Sequence, residues 1–359
     1  MNSGGAENRD PVQGFSPAGQ LLHLITGYWI SQAIYAAAEL GIADQLGRKG
    51  RSVDDLARAT DSHAPSLYRL LRALASVGVF RETAPREFAL TPMGALLRNN
   101  MPGNLRAFAQ LQGDSWHWRS WGAIGASVRT GKPVVAMSAA DSPGLAAATP
   151  LPQNCFDYLA GHAASAAIFN AAMTGYSAQV HAAVAEAYDF SDAHLIADVG
   201  GGQGALLASI LAEQTHLRGI LFDRSETLSA AARILAEYAV TQRCTILAGD
   251  FFESVPAGAD RYILCAVLHD WDDERALAIL GRVANSMSRD ARALIVENVI
   301  PPGDEAHPGK LIDLEMLLIS GGRERTEAEF RALTHAAGLV VERILPTAVS
   351  VSIIEARRA

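Results

Sequence analysis

Five short apolar runs in the C-terminal half of the chain each end on a polar group that could do chemistry. HLIADV carries Asp198 and leads into Gly200-Gly-Gly-Gln-Gly204, and GILFD ends on Asp223. CTILAG is followed by Asp250 and Phe251, YILCAVL by His269-Asp-Trp-Asp-Asp273, and ALIVENVI contains Glu297. A glycine turn after a strand lets the backbone approach a ligand and aims the next helix N-terminus at it. Carboxylates in such places accept hydrogen bonds from hydroxyl and ammonium groups. His269 lies just beyond a strongly apolar run, so its imidazole is expected to be shielded. If Glu297 holds one ring nitrogen, the other becomes more basic, which is the wiring of a general base. Acidic loop residues are common, but five successive strand ends on one rim point to a ligand site.

The glycine loop alone leaves the ligand open. Gly200-x-Gly202-x-x-Ala205 satisfies the relaxed dinucleotide fingerprint, and the same residues satisfy the loop of S-adenosylmethionine-binding proteins. Asp223 would accept ribose hydroxyls under either reading. Two features favour the second. Asp198, just before the glycines, suits an ammonium and would repel a pyrophosphate. Gly249-Asp250-Phe251 offers an acceptor for an exocyclic amine and an aromatic face for a base. A phenol has a pKa near 10, and its phenolate attacks a methylsulfonium. Proton removal by His269 with in-line SN2 transfer is therefore the expected reaction. The chain shows no His/Asp/Glu spacing that suggests a metal ion, and no G-x-S-x-G or Walker sequence.

The elements that must position these groups follow from the pattern. Short apolar runs alternating with helical stretches over the last 170 residues predict a mostly parallel sheet wrapped by helices. Leu339–Leu345 and Ser350–Glu355 are expected to add an antiparallel edge. Upstream, Leu21 to Gln45 has helical spacing broken at Gly41, with Leu21–Ala38 expected to be a buried or interface helix. Ser52 opens a helix over Ser52–Ala59, and a second runs over Ser66–Ser76. Val77–Phe80 and Phe88–Leu90 are expected to form a hairpin around the polar Arg81–Glu87. Helix, turn, helix and hairpin make a winged helix. Residues 51–98 carry seven arginines and five acids, a weak basic footprint, so a dimerisation module is favoured over a DNA reader. Residues 105–131 look helical and hold Trp116, Trp118 and Trp121, read as packing rather than as a wall for a flat substrate. Residues 133–152 contain four prolines and are expected to be a mobile loop. Helices then run from Cys155 to Tyr188.

Composition narrows the class further. The chain has 359 residues, 49% hydrophobic and 19% charged, which suits two folded domains and excludes disorder for most of it. A net charge of −8 argues against a nucleic-acid partner. Cys155, Cys244 and Cys265 are scattered and odd in number, so no disulfide framework or thiolate metal site is expected. Residues 1–13 are polar, without the apolar core of a signal peptide. Leu21–Ala38 is uncharged but carries His23, Thr26, Ser31 and Gln32. No membrane partner is expected, and a cytoplasmic location is.

These residues resemble the small-molecule O-methyltransferases of the plant caffeate and acetylserotonin type, in their bacterial natural-product branch. The resemblance runs from about residue 20 to 357. It is carried by Asp198-Val-Gly-Gly-Gly-Gln-Gly204, Gly249-Asp-Phe-Phe252, Leu268-His-Asp-Trp-Asp-Asp273 and Gly321-Gly-Arg-Glu-Arg-Thr-Glu327. It implies S-adenosylmethionine as cofactor, held by Asp198, Gly200, Gly202, Asp223, Asp250, Phe251 and Ser177. It implies His269 as the base, Glu297 and Glu324 as flanking acids, and Asp270 as a helper or as a cap for the helix Asp272–Leu280. Phe169, Met173 and Met316 match positions lining an acceptor pocket for a small aromatic molecule. It implies a homodimer, with the N-terminal helices, including Gly27-Tyr-Trp29, buried against a second chain.

The expected organisation is a flexible tail over 1–15, a winged-helix dimerisation domain over 16–110 and a methyltransferase domain over 111–359. The last comprises a helical substrate-pocket segment, 111–190, and a Rossmann-like core, 191–359. Cys265 stands where many plant members have a lysine, so a cation contact to the cofactor is lost there. Two alternatives remain beside this reading: a nicotinamide-dependent oxidoreductase, and a winged-helix regulator sensing a metabolite.

Overall fold

The computed structural model describes residues 16–47, 49–101, 103–137 and 154–359. The tail at 1–15 and most of the proline-rich loop, 138–152, lie outside them. Two units divide between Asp114 and Ser115. The expected boundary at 110/111 falls inside the helix Arg106–Gly113. That helix belongs with the first unit because it packs on Gly27–Glu39. Gly113 leaves room for the Tyr35 ring, which a Cβ there would meet at 2.1 Å.

In the first unit the apolar N-terminal stretch forms three helices, Pro17–Ile25, Gly27–Glu39 and Ile42–Leu46. The first break is at Thr26, whose hydroxyl donates to the Leu22 carbonyl at 2.9 Å. The second is at Gly41, in the left-handed region at φ 64°. Leu21, Leu22, Leu24, Ile25, Tyr28 and Trp29 are all more than half exposed. This stretch is therefore not a buried helix; of Gly27–Glu39 only Ala37 and Ala38 are buried. An apolar face of that extent marks an interaction surface.

Ser52 caps Val53–Ala59, accepting the Asp55 amide at 3.1 Å. The next helix starts at Ala64 rather than Ser66, because Pro65 fits the first turn, where no amide partner is needed. It buries Leu67, Leu71 and Leu74. Strand β1 is Arg51–Ser52, β2 is Phe80–Ala84 and β3 is Glu87–Leu90, in the order β1-β3-β2. The hairpin thus lies later than expected. Val77 ends the helix, and polar Arg81–Thr83 alternate outward within β2 instead of forming the loop.

The second unit is built on seven strands: β4 Leu195–Val199, β5 Arg218–Asp223, β6 Cys244–Ala248, β7 Arg261–Cys265, β8 Arg292–Asn298, β9 Leu339–Pro346 and β10 Val351–Arg358. Their order is β6-β5-β4-β7-β8-β10-β9. β4 to β8 are parallel, and β10 runs antiparallel between β8 and β9. The last strand is thus not the edge; Ile353 and Ile354 in it are fully buried. One face is packed by the helices Asp273–Ser286 and Glu327–Ala336, the other by Ala163–Ala187, Ala205–Glu213 and Ala231–Glu237. The strand order reverses at β4, which places a ligand crevice beyond the carboxyl ends of β4, β5 and β7. No helix among the described residues is long and apolar enough to cross a membrane.

Candidate active site

The chain leaves β7 through Ala266, a non-glycine residue in the left-handed region at φ 53°. Such a conformation is strained and concentrates at functional sites. It turns the chain so that three successive amides converge on one oxygen. Val267, Leu268 and His269 donate to Glu297 Oε1 at 3.0, 2.8 and 3.3 Å. Glu297, buried on β8, therefore holds the loop rather than the imidazole; its other oxygen is 3.7 Å from His269 Nδ1, beyond hydrogen-bond reach. The ring is held by Glu324, whose Oε1 accepts Nδ1–H at 2.9 Å. On the other side of the ring, Asp270 Oδ1 lies 3.8 Å from Nε2. Asp270 does not cap the following helix; Asp272 does, accepting the Arg275 amide at 2.8 Å.

A further layer fixes these groups, and sequence reasoning missed it. Asn298 Nδ2 donates to Glu324 Oε1 at 3.3 Å, and Asp313 Oδ1 accepts the Glu324 amide at 2.8 Å. Arg325 is fully buried and donates to the Leu268 carbonyl at 3.0 Å and the Trp271 carbonyl at 2.9 Å. Arg323 donates its amide to the His269 carbonyl at 2.8 Å. The segment Gly321–Arg325 is thus laid directly against the turn carrying His269. The doublet Gly321-Gly322 and the arginine–glutamate alternation were the only sequence signals for it.

Burial opposes a charge on His269, but Glu297, Asp270 and Glu324 outweigh it and hold its pKa up at about 10. Burial raises Glu297 to about 7, with Glu324 and Asp270 adding to it against the pull of His269. Burial likewise raises Asp270 to about 6. His269, Glu297 and Asp270 therefore titrate as one interacting set. His269 Nδ1 and one oxygen each of Glu297 and Glu324 also lie within 4.8 Å of one another, so the fold assembles a set with metal-ligand composition that linear spacing did not show. Glu297 Oε1 and Glu324 Oε1 are already taken up by N–H donors.

The glycine rim stands beyond β4 and β5. Gly200 and Gly202 are left-handed at φ 72° and 60°, and a Cβ at Gly202 would meet nothing within 4 Å. Asp223 Oδ2 accepts the Gly202 amide at 2.8 Å and Oδ1 the Arg224 amide at 2.7 Å. Asp250 Oδ1 accepts the Phe252 amide at 2.8 Å. Phe251 stacks edge-on to Phe252 and Trp271, and its ring edge comes within 3.5 Å of where a Cβ on Gly200 would stand. Asp198 is 1% exposed, and neither carboxylate oxygen has a hydrogen-bond partner among the described residues. Burial, then the charge of Asp223, raises its pKa to about 7; the nearby Leu207 amide offsets this only in part. A buried acceptor with no protein partner is a place made for a donor or a cation.

This sets a stability expectation. The Asp198 pKa is raised on folding, so the folded chain holds that proton more tightly than the unfolded one. The carboxylate costs nothing below pH 4, where it is protonated in both states. It destabilises progressively from about pH 4 to about pH 7, and fully above. Asp198→Asn is expected to raise the melting temperature of the ligand-free protein at pH 8, to leave it unchanged at pH 4, and to weaken binding of a cationic ligand. Equal melting shifts at both pH values would refute the assignment of that burden to Asp198.

The remaining expected residues lie on two helices. Phe169, Met173 and Ser177 are spaced by four on Ala163–Ala187, all partly buried. Phe169 meets Phe156 at 6.3 Å between centroids, and Phe156 stacks on Trp271 at 6.1 Å, linking this face to the His269 turn. Met316 is buried on Gly309–Ile319, with its sulfur 3.8 Å from Ser320 Oγ. The three tryptophans differ: Trp116 is buried, Trp118 is 39% exposed, and Trp121 donates to Glu315. Burial, then Asp198 and Glu297, pushes the Cys265 thiol well up, so it supplies no charge where a lysine would.

Comparison with known proteins decides among the readings. The O-methyltransferase domain pattern matches residues 121–340, and the O-methyltransferase dimerisation domain matches 22–100. The chain belongs to the O-methyltransferase family. Its relatives include a phenazine O-methyltransferase of Lysobacter antibioticus, 44% identical over 94% of this chain and 95% of that one. They also include an 8-amino-8-demethylriboflavin N,N-dimethyltransferase of Streptomyces davaonensis, 33% identical over 91% and 92%. Among solved structures, LaPhzM superposes with a TM-score of 0.88 at 43% identity, covering 96% of this chain and all of that one. NcsB1, an O-methyltransferase from neocarzinostatin biosynthesis, was solved with S-adenosylmethionine and 2-hydroxy-5-methyl naphthoic acid. It matches with a TM-score of 0.73 at 32% identity, covering 92% and 96%. The methyltransferase thus carries the winged helix as a dimerisation module, and the family uses S-adenosylmethionine. The rim fits that group on its own terms: an unpartnered carboxylate at Asp198, open glycine backbone, and the acceptors of Asp223 and Asp250.

Proposed function

We propose that this methyltransferase methylates a phenolic or other aromatic hydroxyl of a small natural product, with His269 as general base. The observation that carries the reading is the His269–Glu324 hydrogen bond at 2.9 Å inside a set of three carboxylates. That set brings the imidazole to about 10, level with a phenol near 10, so proton transfer between them is close to thermoneutral. S-adenosylmethionine bound at the glycine rim would supply a methyl group on a cationic sulfur, the methyl–sulfur bond breaking as the methyl–oxygen bond forms, with neutral S-adenosylhomocysteine as the leaving group.

The chain's own groups do the rest. Asp198 receives the ammonium, Asp223 the ribose hydroxyls, and Asp250 with Phe251 the adenine, while Gly200 and Gly202 let the backbone close in. Ser177 stands one turn beyond Met173 as a further contact. Glu324 keeps the proton on Nδ1, which leaves Nε2 to take the hydroxyl proton, and Asp270 faces the cation so formed. Phe169, Met173 and Met316 line the acceptor; thioethers pack well against rings. The exposed face of Leu21–Trp29 meets a second copy, making a homodimer.

Calorimetric titration with S-adenosylmethionine, with NAD as comparator, is expected to give micromolar binding of the first and none of the second. An aromatic hydroxyl panel analysed by mass spectrometry should then yield singly methylated ethers. NAD binding would overturn the cofactor assignment; methylation confined to amines would overturn the acceptor assignment.

A further inference from the structure

One carboxylate with a buried anchor, outside the His269 set, takes no part in the machinery above. Glu315 lies on the helix Gly309–Ile319, two residues beyond Asp313 and adjacent to Met316. Two rings from the helix Ser115–Gly122 hold it: His117 Nε2 stands 2.5 Å from Oε1, and Trp121 Nε1 donates to Oε2 at 2.5 Å. His117 is almost fully buried, whereas the Glu315 side chain keeps 20% exposure. A solvated surface acid is not fixed in this way. A carboxylate offers about four lone-pair positions, and the two rings occupy only two of them.

Its surroundings connect it to the reacting end. Burial raises the Cys155 thiol first, and the charges of Asp270 and then Glu315 add to it, so these two carboxylates flank one buried residue. Trp116 Nε1 and His117 Nδ1 are buried without a hydrogen-bond partner among the described residues. The Glu315 carboxylate itself is an acceptor that recognises a donor and repels an anion.

We propose that Glu315 is a specificity-determining residue. It accepts a hydrogen bond from a second hydroxyl or ring N–H of the acceptor, away from the hydroxyl that is methylated, and it turns away acceptors with a carboxylate at that place. This rests on the acceptor reading proposed above. Sites built to hydrogen-bond a substrate hydroxyl reject analogues lacking it far more strongly than apolar walls discriminate size.

The test measures binding to the full-length protein saturated with S-adenosylhomocysteine, so that no turnover is needed. The probes are 2-naphthol, 2,7-dihydroxynaphthalene and 7-hydroxy-2-naphthoate. The wild type should bind the diol at least about tenfold tighter than the naphthol, and the naphthoate worst. Glu315→Gln should shrink the diol preference. Glu315→Leu should abolish it and gain about tenfold for the naphthoate, both variants keeping wild-type affinity for S-adenosylhomocysteine. Equal binding of naphthol and diol by the wild type, or the same ratio in both variants, overturns the proposal. Should a variant fail to hold S-adenosylhomocysteine, the wild-type ranking alone decides. Turnover is scored separately: a diol preference that depends on Glu315 without any methylation of hydroxyls would keep this inference and sink the acceptor assignment.

Discussion

Replacing His269 with alanine should lower kcat by about 10²–10⁴-fold on a hydroxyl acceptor, the range expected for positioned proton removal. Affinity for S-adenosylmethionine should hold, because the imidazole is engaged by Glu324 and faced by Asp270, and not by the proposed cofactor contacts Asp198, Asp223 and Asp250. Calorimetry separates the two quantities. Equal loss of binding and turnover would mean that His269 supports the cofactor site and not the reaction. The variant also tells oxygen from nitrogen acceptors. A neutral amine has a lone pair ready and gives up its proton after transfer, so an aniline should lose much less than a phenol does.

The protonation state of the set gives this prediction a second arm. With a pKa of about 10, the imidazole of the ligand-free protein carries a proton at neutral pH and serves as a base only in the fraction that has lost it. Turnover on a phenol should therefore rise with pH across the neutral and mildly alkaline range. Glu324→Gln removes one of the charges that raise the pKa and leaves only a neutral amide acceptor at Nδ1, so the rising limb should move to lower pH while the plateau drops. A limb that stays in place would assign the titration to the acceptor itself rather than to His269. The stability sign is opposite. The His269 pKa is raised on folding, so the ion set contributes fully below about pH 6.5 and its contribution is lost as pH rises through about 10.

The rim was legible because strand ends follow from apolar runs, and a parallel sheet presents those ends together. Asp198, Asp223, Asp250 and His269 all lie where that rule puts them. The division of labour between the two glutamates was not legible. Glu297 sits on the neighbouring strand, and its position alone suggests a partner for the ring. The three amides freed by the left-handed turn at Ala266 claim it first, and no sequence pattern announces a left-handed alanine. Glu324 reaches the imidazole across 55 residues of chain, Asn298 reaches Glu324 across 26, and such links arise from packing alone. The same limit explains the sheet edge. Two apolar runs joined by a tight turn specify a hairpin but not which arm enters the sheet, and it is β10 that slots between β8 and β9.

Gly322→Ala should be among the most damaging single changes in the chain, although it adds one methyl group. A Cβ there would stand 2.0 Å from the His269 carbonyl oxygen, 2.4 Å from the Asp270 carbonyl carbon and 2.6 Å from the Trp271 amide nitrogen. All three are backbone atoms, so no side chain can rotate away. The clash falls on the turn that holds the His269 imidazole, and that turn is pinned from below by Glu297 and Arg325. Relief must come from moving one backbone against the other, which should cost about 3 kcal/mol, the upper end of ordinary overpacking. A shift of about 1 Å at the base is enough to lose roughly 10²-fold in turnover. Gly281 is the control: it lies inside the helix Asp273–Ser286, where a Cβ meets nothing within 4 Å. Gly281→Ala should raise stability by about 0.4–1 kcal/mol and leave kcat alone. Urea midpoints and kcat on both variants read the contrast. A Gly322→Ala protein with wild-type midpoint and turnover would show that the close approach of Gly321–Arg325 to the His269 turn is not what seats the base.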